Sequence, residues 1–200
     1  MNPSSGAPST SGWLPGSPRT SSGARESYDH SIRAHRRQRC RRLDQRRLAA
    51  YLVSRAPSDF AFDTIPITDL PVYSYDLDPD FPPAATAFKK ALVDHRQLLF
   101  VTPEYNRSIP GALKNALDWG SRPWGDSFAG CRAAIAGTGL NGAGSAVAQA
   151  HPRSILGYLQ VSVLGAEEVC LPWTDGVLHS PRMAELVDAF WESVRAALPD

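Results

Sequence analysis

Residues 103–108, Pro-Glu-Tyr-Asn-Arg-Ser, set a carboxylate, a phenol, a carboxamide, a guanidinium and a hydroxyl side by side behind a proline. They follow the apolar run "QLLFVT" (97–102) and precede "IPGALKNALDWG". Pro103 fixes its own φ and carries no donor, so the chain leaves the apolar run in a set direction. The residues after it offer main-chain N–H groups, and Tyr105 offers a flat apolar face with a polar tip. Asn106 and Ser108 are expected to brace the loop by side-chain to backbone hydrogen bonds. A second corner, "GTGLNGAG" (137–144), ends another apolar run, and glycines there permit close backbone approach. Such a pair suits a planar ligand with a polar rim. Either corner alone is equally an ordinary turn.

The elements that position these corners are legible from periodicity. "RRLAAYLVSRA" has the spacing of a short amphipathic helix, and "FAFDTIPI" (60–67) alternates like a strand. "TDLPVYSYDLDPDFPP" is a Pro- and Asp-rich loop, "AATAFKKALVDHR" a helix and "QLLFVT" a short buried strand. "PGALKNALDWG" is a helix with Pro110 in its first turn and Gly120 at its cap. "CRAAIAGTG" is a strand, "GSAVAQAHPRSILGYL" largely a helix, "QVSVLGAEEVCLP" a strand and "SPRMAELVDAFWESVRAAL" the final helix. Strands alternating with amphipathic helices imply an α/β fold, a parallel sheet covered on both faces. Ligands in such sheets bind at the carboxyl ends of the strands, where both corners lie.

Composition narrows the class. The net charge of the 200 residues is +1. Residues 33–47, "RAHRRQRCRRLDQRR", nevertheless hold eight arginines and one aspartate. Residues 1–24 are mostly Ser, Pro, Gly and Thr, a composition with little to bury. Cys40, Cys131 and Cys170 are widely spaced and form no metal or disulfide pattern. No run is long enough to span a bilayer, and no signal-like start is present, so a cytoplasmic protein is expected. The five histidines lack ligand spacing, and surface roles are expected for them.

"PEYNRSIPGALKNALDW" resembles the signature of the NAD(P)H-dependent FMN reductase family of flavodoxin-like proteins, which includes related quinone, azo-dye and chromate reductases. "DLPVYSYDLD" and "AGTGLNGAGSAVAQAHPRSIL" resemble two further loops of that family, so the similarity covers roughly 45–178. The resemblance implies a flavodoxin-like three-layer sandwich and transfer of hydride from NAD(P)H to bound FMN, then on to a small electron acceptor such as a quinone. It implies that Pro103, Glu104, Tyr105 and Asn106 line the isoalloxazine ring, that Ser108 braces that loop, and that Gly139, Asn141 and Gly144 form a facing loop. Where the family carries Ser-Pro-Gly, this chain has Gly139-Leu140-Asn141. Glu104 reads better as a structural carboxylate than as an acid or base. The cofactor carries such chemistry, so no catalytic side chain and no metal are expected. A homodimer or tetramer is expected from Trp119 and Trp124, taken as exposed near the site.

The same resemblance exposes a defect. The family's phosphate cradle, Gly-Ser-x-Arg-x-x-Ser-x-Asn after a first strand, should fall at about residues 37–45, where this chain reads "RQRCRRLDQ". The first strand and phosphate loop are therefore expected to be degenerate or missing. Residues 1–44 are read as a disordered or aberrant segment and 45–200 as the domain. A displaced reading frame accounts for this: "RAHRRQRCRRLDQ" (33–45) can be written in codons that, moved by one base, encode Val-Leu-Ile-Val-Gly-Ser-Val-Val-Val-Asp-Ser-Ile-Asn. Losing the first strand would leave a gap in the core beside the third. Two other readings compete. One is a cofactor-impaired flavodoxin-like remnant. The other is nucleic-acid binding through the Arg-rich segment, which lacks interleaved aromatics and is the least expected.

Overall fold

The centre of the fold is a pair of parallel strands, β1 (Gln97–Pro103) and β2 (Arg132–Thr138), in register from Gln97 against Arg132 to Pro103 against Thr138. The structure is a computed structural model and describes residues 41–122 and 127–198. A two-residue strand, β3 (Ser162–Val163), lies parallel on the far edge of β2. Five helices accompany them: α1 (Arg41–Ser54), α2 (Pro83–Asp94), α3 (Gly111–Gly120), α4 (Ala146–Tyr158) and α5 (Pro181–Ala197).

The period-two alternation of β2 assigns its side chains to two separate cores. Ala133 and Ile135 pack with Phe88, Leu92, Leu117 and Leu156 of α2, α3 and α4. Ala134 and Ala136 pack with Leu48, Leu52, Val187 and Phe190 of α1 and α5. Helices on both faces of a parallel sheet give the expected three-layer α/β sandwich. α5 starts as its sequence dictates: Ser180 Oγ accepts from the Met183 N–H at 3.2 Å, and Pro181 follows the cap.

Several expectations require correction. α1 begins at Arg41, before the expected start at Gln45. Residues 60–67 form no strand. Their apolar residues still divide between the cores, Ile65 and Ile67 into one and Phe60 into the other. Phe60 and Phe62 both meet the Trp191 ring at 5.6 Å. Phe60, Ile65 and Ile67 are only partly buried and Phe62 is 37% exposed, and among the described residues no strand lies beside them to supply a ladder. The expected strand at 160–172 shortens to β3, followed by irregular chain whose Val169 carbonyl accepts the Gly137 N–H at 2.9 Å. Trp119 is not exposed: it is 0% accessible, packs edge-on to Tyr73 and Phe81, and donates Nε1–H to the Pro71 carbonyl at 2.7 Å. Trp124 and residues 1–40 lie outside the described residues.

β1 has a strand on one side only, among the described residues. Against its other edge is a cavity of about 800 Å³, lined by Ala49, Phe60, Leu99, Val101, Val194 and Leu198 among others.

Candidate functional site

Each strand's carboxyl end turns sharply. After β1, the Tyr105 N–H donates to the Ser108 carbonyl at 2.9 Å and the Ser108 N–H returns the bond at 3.0 Å. Asn106 and Arg107, between them, have φ of 50° and 65°. Two successive left-handed residues closing a two-residue loop is the hairpin geometry usually given to glycine or asparagine. The brace is therefore backbone to backbone, not the side-chain brace expected of Asn106 and Ser108. Ser108 Oγ instead meets His151 Nδ1 at 2.8 Å, on the rim of a cavity of about 520 Å³ that Ile109, Lys114 and Ser154 also line. Because the N–H of Tyr105 is taken, the main-chain donors at the tip of this turn are those of Asn106 and Arg107.

After β2, the Gly144 N–H donates to the Asn141 carbonyl at 2.9 Å, and the Ala143 N–H donates to Asn141 Oδ1 at 3.0 Å. Gly144 has φ +60°, and a Cβ there would come within 1.4 Å of the Cys170 carbonyl oxygen. A Cβ on Gly139 would come within 1.9 Å of the Gly144 carbonyl oxygen. These glycines let the protein's own backbones approach each other; of the sequence-singled glycines in this turn, only Gly142 faces open space. The Cys170 thiol beside them is pushed up from its ordinary pKa by burial, then by the carboxylates of Glu168 and Glu167.

Glu104 joins the two turns. Its residue is 8% exposed. Oε1 accepts from Asn141 Nδ2 at 2.7 Å and Oε2 from the Ala148 N–H in the first turn of α4 at 3.2 Å. Arg107 Nη1 lies 3.7 Å from Oε1. A carboxylate at a helix N-terminus with a charge-assisted side-chain bond is favourably placed. One buried side chain thus fixes the spacing of Pro103–Ser108 against Gly139–Gly144. Tyr105 remains 40% exposed and Leu140 62% exposed, bordering the space between the turns.

Sequence reasoning passed over three contributors. Gln45, in the first turn of α1, donates Nε2–H to the Thr138 carbonyl at 3.2 Å and to Thr138 Oγ1 at 2.9 Å, pinning α1 to the end of β2. Trp173 approaches the same edge, its main-chain N–H donating to the Gly139 carbonyl at 2.7 Å. Arg47 stacks on the Trp173 ring, 5.6 Å from its centroid. The Gln45–Thr138 contact crosses 93 residues of sequence and leaves no local pattern to read.

A polar-rimmed ring fits this edge in one respect and lacks support in another. Gln45 Oε1 and Trp173 Nε1 are buried without a hydrogen-bond partner among the described residues, an acceptor and a donor that a polar rim would satisfy. Among the described residues a phosphate finds no matching loop. α1 opens with "RRLDQ", without glycine or hydroxyl, and Asp44 is 6% exposed in its first turn. A buried carboxylate there opposes an anion that the helix N-terminus would otherwise attract.

Known proteins bear on this geometry. Over 125 residues the chain is 52% identical to a 2-hydroxy-1,4-benzoquinone reductase of a Burkholderia species, covering 62% of this chain and 68% of that protein. It is 40% identical over 116 residues to an NAD(P)H-dependent FMN reductase of Pseudomonas aeruginosa, covering 58% of this chain and 63% of the relative. Among solved structures, the FerB flavoenzyme NAD(P)H:(acceptor) oxidoreductase of Paracoccus denitrificans superposes with a TM-score of 0.68 at 32% identity, over 76% of this chain and 90% of that one. The expected flavodoxin-like fold is thereby confirmed, and FMN and NAD(P)H are the cofactors this kinship carries. With residues 41–174 matching the description "NADPH-dependent FMN reductase", the chain belongs to that family of oxidoreductases.

Proposed function

We infer that the two turns at the carboxyl ends of β1 and β2 hold the isoalloxazine ring of FMN, and that the chain passes reducing equivalents from NAD(P)H to a small quinone. The observation that carries this reading is the Glu104 clamp, which ties the turns at a fixed separation through Asn141 and Ala148. Pro103, Glu104, Tyr105, Asn106 and Ser108 form one side of the site. Gly139, Asn141 and Gly144 form the other. Asn106 and Arg107 present main-chain donors, Tyr105 covers an apolar edge, and Trp173 Nε1 offers the unpartnered donor. When bound here, FMN would supply hydride transfer between NAD(P)H and the acceptor, and a quinone that receives the equivalent of one hydride and one solvent proton becomes a hydroquinone. The protein's share is orientation and exclusion of water, for which rigid turns suffice. The 52% identity to a 2-hydroxy-1,4-benzoquinone reductase favours a hydroxylated benzoquinone as acceptor.

The reading extends to a homodimer or tetramer in the cytoplasm. Val72 and Tyr75, 84% and 67% exposed on the loop before α2, form an apolar area that a second copy would cover. Among the described residues no helix is long and apolar enough to cross a membrane. The nucleic-acid reading gains no support from family membership, and most of its arginine block lies outside the described residues. Titrating FMN into the purified chain, then adding NADH or NADPH with 2-hydroxy-1,4-benzoquinone, tests the proposal. Saturable quenching of flavin fluorescence followed by quinone-dependent NAD(P)H oxidation is the expected result. Free flavin that stays unquenched at millimolar protein would sink it.

A further inference from the structure

The two turns carry one base and one acid of their own. Of residues 103–108 and 139–144, only Arg107 is basic and only Glu104 acidic. Glu104 is taken up by the clamp, its two oxygens accepting from the Asn141 amide and the Ala148 N–H. Arg107 is placed differently. Its Nη1 lies 3.7 Å from Glu104 Oε1, close enough for attraction and too far for a hydrogen bond, and its side chain is 65% exposed. Among the described residues the guanidinium makes that ion pair and no hydrogen bond, so its fork of N–H donors stays open to a ligand.

Neighbouring cations are engaged elsewhere. Lys114 Nζ sits 2.7 Å from Asp118, Arg153 Nη2 lies 3.3 Å from Glu168, and Arg47 is stacked on the Trp173 ring. The backbone under Arg107 is a second observation. Its φ of 65°, after 50° at Asn106, is a conformation that glycine or asparagine adopts at lower cost. A long cationic side chain held there, beside the 40% exposed Tyr105, points to a use for the guanidinium.

The acceptor supplies that use. A hydroxyl on a benzoquinone ring is conjugated through one double bond to a carbonyl, which makes the molecule a vinylogous carboxylic acid and, like a carboxylic acid, an anion at neutral pH. The ionised oxygen and the carbonyl oxygen next to it form a pair that a guanidinium fork matches. A quinone without the hydroxyl offers no charge to hold.

We propose that Arg107 selects acidic hydroxyquinones over neutral quinones, its guanidinium binding the ionised ring oxygen at the mouth of the space between the turns. The inference rests on the quinone reading above and adds to it the charge of the acceptor. Reduction abolishes that charge: the anion takes up one hydride equivalent from NAD(P)H and two solvent protons to become a neutral triol. Arg107 therefore holds substrate more tightly than product.

The test uses the full chain with FMN and the variants Arg107→Met and Arg107→Lys. Both keep a long side chain at the same φ, so they differ from arginine in charge and in the fork. kcat/KM is measured for 2-hydroxy-1,4-benzoquinone and for methyl-1,4-benzoquinone. Their ratio is expected to fall about tenfold or more in Arg107→Met and to recover in part in Arg107→Lys. Added salt should erode the same ratio in the parent chain and leave it flat in Arg107→Met. Equilibrium dialysis of the hydroxyquinone without NAD(P)H reads binding apart from turnover, and Arg107→Met should bind it about tenfold more weakly. An unchanged ratio, or hydroxyquinone binding that survives the loss of charge, overturns the proposal. A loss shared by both quinones, with a raised KM for the nicotinamide dinucleotide, assigns the guanidinium to that cosubstrate's phosphates and equally overturns it. A parent chain that leaves flavin fluorescence unquenched removes the quinone reading and this proposal together, whereas quenching with an unchanged ratio removes the role of Arg107 alone.

Discussion

β1 and β2 are each seven residues long, run in the same direction and share an unbroken register, yet their surroundings differ. Every residue of β2 after Arg132 is buried, whereas in β1 only Thr102 is. β1 is the more apolar by sequence: Leu98, Leu99, Phe100 and Val101 stand opposite Ala133, Ala134, Ile135 and Ala136. A run of large apolar residues is the composition of a strand with neighbours on both edges and helices on both faces. β1 has that composition, but among the described residues only one strand pairs with it, and its side chains there are half-exposed. The small residues of β2 are themselves buried, Ala134 and Ala136 packing with Leu48 and Leu52 of α1 and Val187 and Phe190 of α5.

Substitutions can break or sharpen this contrast. The largest effect is expected at the seam between the strands, where a Cβ on Gly137 would come within 2.0 Å of the Thr102 carbonyl oxygen. Gly137→Ala should cost about 4 kcal/mol, at the top of the range for single changes, and be read as a collapse of the urea midpoint. Matched truncations come next. Ile135→Ala removes a side chain that is 3% exposed and should cost about 3 kcal/mol. Leu99→Ala, on a half-buried residue beside open space, should cost about 1 kcal/mol. Equal losses in urea unfolding would mean that β1 is as well packed as β2 and would erase the distinction.

The turns beyond the strands respond less. Glu104→Gln keeps the shape but removes the charge from the bonds to Asn141 and Ala148, and should cost about 2 kcal/mol. If the clamp spaces the two turns, flavin affinity falls together with Tm; a drop in Tm alone would confine Glu104 to stability. The smallest effect is at His95, whose pKa is raised from 6.5, first by its bond to Asp63 and then by the Ala91 carbonyl. A raised folded-state value stabilises fully below the unfolded value and is lost as pH rises through the folded one. A shallow decline of the urea midpoint from about pH 6 upward, absent in His95→Gln, is expected. Both partners are solvated, so screening keeps the effect small.

What the sequence disclosed, and what it hid, follows from range. Helices α2, α3 and α5 were legible because their apolar spacing and proline starts are local. The corner at 103–108 was legible as a corner because Pro103 ends the apolar run. Its bracing was not: the positive φ of Arg107 has no signal in residue type, and the Ser108–His151 contact spans 43 positions. Residues 60–67 show the converse failure. Alternation pointed to core-facing side chains, and Phe60, Ile65 and Ile67 are partly buried against the cores while Phe62 stays exposed, but a strand also needs a partner, which among the described residues is missing. Trp119 was misjudged because a tryptophan next to a site resembles an anchor, whereas here the rings of Tyr73 and Phe81 enclose it.

The state of the two described cysteines bears on the chemistry the family performs. Quinones are electrophiles that add to thiolates, so an enzyme releasing or binding them risks alkylating itself. Cys131 is 1% exposed, with its thiol directed at the Leu92 and Ser127 carbonyls, and Cys170 is held protonated by burial and two neighbouring carboxylates. Cys131 is thus shut away from a passing electrophile, and Cys170, whose carbonyl oxygen packs against Gly144, has its thiol shifted away from the reactive thiolate form, by burial first.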